Sequence, residues 1–120
     1  MALMIGSRAM DSSAPSQAGA REQRAQATQA VQRGRTLMAQ YQCGSCHHIP
    51  GVSDAHGANA TSLAAFGQRS YIAGRIPNRP EMLARWIHHP QELIPSATMP
   101  ALGVSTSQAE DMAAYLHSLK

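Results

Sequence analysis

Residues 42–48 read QCGSCHH and hold both cysteines of the 120-residue chain, with two histidines directly behind them. Two thiols at this spacing serve as a redox disulfide, as half of a zinc site or as the attachment point of a c-type haem, and the residue after the second cysteine biases the choice. Each use demands a different frame around it, so this stretch constrains the fold more than any other.

Haem attachment requires two thiols that reach two vinyl groups on one porphyrin edge while an imidazole of the same segment rises to the iron. On a helical turn Cys43 and Cys46 stand at i and i+3 and His47 at i+4, all on one side. His48 is rotated by about 100° and points elsewhere. His47 is therefore the candidate ligand and His48 an ordinary polar neighbour. The zinc alternative takes Cys43, Cys46 and two of His47, His48 and His56, but tetrahedral coordination wants the second pair on a separate rigid element, and His56 sits in a glycine-flanked loop. A thioredoxin-like dithiol asks for a βαβ frame, which the chain lacks.

Composition bears on this choice. Aromatic residues make up 4% of the chain, so one small domain of this length has a thin core unless a non-protein group fills its middle. A haem supplies that hydrophobe. The formal charge of +3 comes mostly from scattered arginines with few aromatics between them, which speaks against a nucleic-acid partner. No stretch approaches the roughly 18–20 apolar residues of a membrane span. The opening MALMIGSRAM has too short an apolar run for the roughly 7–15 residues of a secretory core, and the chain as given carries no address.

Residues 11–30 are rich in Ala, Gln and Ser and lack Leu, Ile, Val and aromatics. They read as a flexible leader or tether over 1–27, turning helical towards its end, with the domain proper at 28–120. Val31, Gly34, Met38 and Tyr41 then recur at helical spacing and predict a helix over 28–41. Gly34 inside it costs about 1 kcal/mol against Ala, which points to close approach of another helix. Near the far end Ser105 and Gln108 form a capping-box pattern, and Ala109, Met112, Ala113, Leu116 and Leu119 make one stripe, so a helix spans about 106–119. A third helix starts at Pro80, with Leu83, Trp86 and Ile87 on one face, and Pro90 turns residue 89 out of helical geometry. Residues 49–79 show no strand-like alternation. The fold class is all-α, three to four short helices joined by long loops.

A low-spin electron-transfer haem also needs a sixth ligand, and a thioether is a common one that raises the potential. Met99 lies in HPQELIPSATMPAL, a segment stiffened by Pro90, Pro95 and Pro100 and too irregular for helix or strand. Met38 and Met112 fall on helix faces and read as core packing. Met99 is the candidate axial ligand, with His88 or His89 as runner-up, since imidazole also serves in that position.

From residue 31 to 119 the chain resembles class I monohaem cytochromes c, in the order helix with glycine, CGSCH, loop, LARWIHHP, IPSATMP and AAYLHSL. The stretch from Phe66 to Ser105 is similar to the haem c domain of subunit II in some haem-copper oxidases. The copper ligands of such a subunit cannot be here, because both cysteines are used. The resemblance implies the cytochrome c fold around one haem c, covalent through two thioethers, and a crossing of the terminal helices at Gly34 and Tyr115. It further implies Arg69 as a propionate partner and Trp86 packing on or hydrogen-bonding to the haem. Where the family has Gly-Pro-x-Leu, this chain has Ala60, Thr61, Ser62 and Leu63, and the carbonyl of Thr61 is left to accept the other N–H of His47.

The expected function is electron transfer by a monomeric carrier that needs no catalytic residue, with redox partners such as a membrane cytochrome oxidase or its donor. The alternatives are a gas sensor or peroxidase-like protein with a displaceable Met99, or a fixed electron-entry subunit of a dehydrogenase. Haem attachment requires export, so the expected location is the periplasm or the outer face of the cytoplasmic membrane, with the export signal absent from this chain.

Overall fold

The computed structural model describes residues 16–120, so of the leader expected over 1–27 only its last part falls within the described residues. The first helix, α1 (Gln17–Gln40), starts well before residue 28, with the Ser16 hydroxyl accepting from the Gly19 amide at 3.0 Å. Apart from Gly19 and Thr28, its first half is Ala, Gln, Arg and Glu, strong helix formers, and intrinsic propensity suffices there although almost every side chain is exposed. Burial sets in at Val31 and continues through Gly34, Leu37, Met38 and Tyr41, the period of one helix face.

The last helix, α4 (Thr106–His117), has the expected capping box with both bonds formed. Ala109, Met112, Ala113, Tyr115 and Leu116 are its buried face. It crosses α1 at Gly34, where a Cβ would stand 1.9 Å from the carbonyl oxygen of Asp111 and 3.0 Å from the Tyr115 Cβ. No side chain fits between two backbones that close, so the helix-interior glycine is a packing requirement. At the rim of the crossing Arg33 grips Asp111 in a fork, Nε donating to Oδ2 at 2.8 Å and Nη2 to Oδ1 at 3.1 Å.

Between them α2 (Pro80–His88) has Pro80 and Glu81 in its first turn, buries Leu83, Ala84 and Ile87, and ends before Pro90. Besides the early start of α1, two features depart from expectation. Pro90–Leu93 forms a one-turn helix, α3, where an irregular segment was expected, because Pro90 is well placed at a first helical position. Within 49–79, β1 (Tyr71–Ile72) and β2 (Ile76–Pro77) pair antiparallel, Tyr71 opposite Pro77 and Ile72 opposite Ile76. Two residues per strand are too few to show alternation, and the turn is made by positive φ at Ala73 and Gly74. No helix among the described residues is long and apolar enough to cross a membrane.

Candidate haem site

The apolar side chains that the helices bury surround a cavity of about 940 Å³ rather than meeting in its centre. Leu63, Phe66, Ile72, Leu83, Ile87 and Leu116 are each buried and each line it. The volume lies near the top of the roughly 300–1,000 Å³ usual for cofactor sites. Cys43, Cys46, His47, Arg69, Trp86 and Met99 all face this one space.

After α1 the chain turns through Gln42, at φ 57°, into a 3-10 turn over Cys43–Ser45. The amides of Cys46 and His47 donate to the Cys43 carbonyl at 3.3 and 3.1 Å, so the helical-turn geometry inferred from spacing is realised in a tighter form. A returning segment runs back beside this turn. The amides of Gly57, Ala60 and Leu63 donate to the carbonyls of Gly44, Cys46 and His48 at 3.0, 3.0 and 2.8 Å. That pairing presents the Thr61 carbonyl to His47 Nδ1 at 2.6 Å. A carbonyl only accepts, so Nδ1 carries the proton and the Nε2 lone pair stays available for a metal.

His48 forms a bridge with His56, their rings stacked with centroids 6.1 Å apart, and neither lines the cavity. Among the described residues no three His, Cys, Asp or Glu side chains converge as metal ligands, so the zinc alternative has no site. The dithiol alternative lacks the βαβ frame it asks for, since the sheet among the described residues is a two-stranded antiparallel hairpin. Burial pushes the Cys43 thiol above its ordinary pKa, a backbone hydrogen bond opposes the rise and the neighbouring Cys46 adds to it.

Met99 sits in the loop after α3, and Gln91 of that helix holds it: Nε2 donates to the carbonyls of Ala97 at 3.0 Å and Met99 at 2.8 Å. His88, runner-up for the iron, instead bonds the Val104 carbonyl from Nδ1 at 2.7 Å, and neither it nor His89 lines the cavity. Met38 and Met112 do line it, but both are almost wholly buried on α1 and α4, as expected of core residues. Trp86 packs against the core along the cavity wall. Arg69 lies over the Phe66 ring, 5.3 Å from its centroid, and donates from Nη2 to the Ser62 carbonyl.

Cavity and motif meet in one comparison: residues 31–120 match the family model for cytochrome c. The chain belongs to the cytochrome c family. The match opens at Val31, where burial on α1 begins. This cytochrome c binds haem c covalently, and its Cys43 and Cys46 have the spacing of the attachment motif. Its function is haem-based electron transfer. The cavity suits that group, with apolar walls, an imidazole, a thioether and a guanidinium facing inward. The cytochrome is 38% identical over 89 residues to cytochrome c oxidase subunit 2 of Alkalihalophilus pseudofirmus, across 73% of this chain and 25% of that protein. The chain thus spans about a quarter of the length of that relative. No solved structure gives a significant match.

Three contributors escaped sequence reasoning. Gln91 carries no motif of its own, and Tyr71 and Arg75 reach the cavity only because the hairpin folds them there. The proline-rich surroundings of Met99 were the sole signal that something nearby had to hold the loop.

Proposed function

We propose that His47 and Met99 are the two axial ligands of the haem iron and that this cytochrome c passes single electrons to or within a terminal cytochrome oxidase. The observation that carries the reading is the convergence of His47 and Met99 on one cavity, His47 with its Nδ1 engaged by Thr61 and Met99 on a loop pinned by Gln91. When bound, the haem supplies a one-electron couple, and the thioether raises its potential by favouring reduced iron. The chain's part is to hold the ligands and exclude water. Arg69 serves as a propionate donor and Trp86 as a packing wall, since a buried carboxylate calls for charge-assisted hydrogen bonds. With both axial positions filled by protein, no site remains for a substrate, which separates this reading from a sensor or peroxidase.

Association with an oxidase is supported by the likeness to an oxidase subunit, and the outer-face or periplasmic location is proposed on the export that haem attachment requires. Exposed Tyr71 and Leu102, 56% and 43% accessible, stand at the cavity's rim as apolar contacts for a redox partner. The test is a spectrum of the holoprotein in both oxidation states. A sulfur-to-iron charge-transfer band in the oxidised form, with no carbon monoxide binding to the reduced form near neutral pH, is the expected result. Ready carbon monoxide binding by the unaltered protein would overturn the ligation.

A further inference from the structure

We propose that Asn78, held by His117, is a positioning residue that fixes the backbone carrying Arg69 and so tunes the reduction potential of the haem. The inference rests on Arg69 as the propionate partner, proposed above.

Asn78 follows β2 directly, yet its bonds reach back to the segment before β1. Its amide Nδ2 donates to the carbonyl of Phe66 at 3.2 Å and to that of Arg69 at 3.0 Å, and its backbone amide donates to Ser70 at 3.0 Å. Both amide hydrogens are consumed by carbonyls, which fixes the orientation of the group and turns Oδ1 towards His117 Nε2, 2.7 Å away. An amide oxygen only accepts, so Nε2 carries the proton. His117 therefore donates and locks Asn78 from the end of α4.

The same end of α4 is a fixed reference for the turn. Gly67 donates to the Leu119 carbonyl at 2.8 Å, and a Cβ on it would come within 2.2 Å of the His117 carbonyl oxygen. Phe66 and Arg69 through the Asn78 side chain, and Ser70 through its main chain, are thus tied to a helix that also packs on α1. Arg69 has no comparable freedom of its own, since its guanidinium lies on Phe66, whose carbonyl the clamp also holds. A cation close to the haem stabilises the reduced state by an amount that depends on distance and on solvent. Removing the Asn78 side chain leaves the Arg69 carbonyl without a donor and the Phe66 carbonyl with only the Arg69 amide at 3.1 Å, and the segment that aims Arg69 must relax to hydrate the orphaned carbonyl.

The test is a double-mutant cycle on the holoprotein, read as reduction potential with the axial-ligand spectrum as control. Arg69→Gln lowers the potential. Asn78→Ala lowers it in the same direction by a smaller shift, leaves the charge-transfer band in place, and adds nothing in the Arg69→Gln background. His117→Gln keeps a donor and the original potential, whereas His117→Leu shifts it as Asn78→Ala does. If Asn78→Ala does not fold, the His117 pair is run through the same cycle. Additive shifts, or a silent Asn78→Ala and His117→Leu beside an effective Arg69→Gln, overturn the positioning role and leave Arg69 standing. A silent Arg69→Gln overturns both.

Discussion

The two walls of the haem cavity are held by different means. On the cysteine side, backbone bonds between 43–48 and 55–63 set the turn, and the partner of His47 is itself a main-chain carbonyl. On the Met99 side, the loop after α3 hangs on side chains, Gln91 to Ala97 and Met99 and His88 to Val104. A wall made of backbone is indifferent to most substitutions, and a wall made of side chains yields to single ones. Under the proposed ligation, His47 should be the constant of this site and Met99 its adjustable element.

The strongest break is at Met99, the proposed ligand. Met99→Ala should abolish the charge-transfer band, open the iron to carbon monoxide and lower the potential by a tenth or more of the roughly 0.8 V that axial ligands span. The far-UV circular dichroism should persist, because the thioethers and His47 remain. Met38→Leu and Met112→Leu should keep the band at a cost under about 1.5 kcal/mol. Loss of the band in either of these, with retention in Met99→Ala, would move the ligand to another methionine.

Next comes the support of the loop. Gln91→Ala leaves the Ala97 and Met99 carbonyls without their donor, a loss of about 1–3 kcal/mol concentrated in the Met99 loop. In a urea titration the band should vanish before the helical signal, whereas in the unaltered protein the two should coincide more closely. Coincident loss in Gln91→Ala would mean that the loop is not separately held.

Acid probes a third region, away from both walls. Burial pulls His117 below its ordinary 6.5, Lys120 adds to the drop, and Glu81 opposes it. The unfolded chain therefore takes its proton first as pH falls. Stability from this group is full above about pH 6.5 and is lost as pH drops towards the folded value. Denaturant midpoints measured from pH 7.5 to 5 should decline less in His117→Gln than in the unaltered protein. An equal decline would remove His117 as a contributor.

The smallest effect should be at Thr61→Ala. The bond to His47 uses the carbonyl, which alanine retains, so potential and spectrum should be unchanged and stability should move by less than about 0.5 kcal/mol. A marked shift would show that the wall near His47 also depends on side chains.

Much of the site was legible because it is local. The reach of Cys43, Cys46 and His47 to one side follows from their i, i+3 and i+4 positions on one turn, and the capping box at Ser105 and Gln108 lies within one turn. Gly34 was readable as a close contact, although not which atoms it meets. By contrast α1 ran further back than its apolar stripe, since helix propensity persists where packing stops. The hairpin left no periodic trace.

Sequence alone determined the chemistry at the cysteines, the cofactor they attach and the starts of α2 and α4, because each depends on residues within a few positions of one another. Tertiary structure alone decided what holds the pieces in register. Gln91 reaches Met99 across a loop, Asn78 joins Phe66 and Arg69 to His117 over 39 positions, and Tyr115 donates to the Pro50 carbonyl from 65 positions away. Such bonds have no spacing rule, because their partners meet only after the helices have packed and the hairpin has turned.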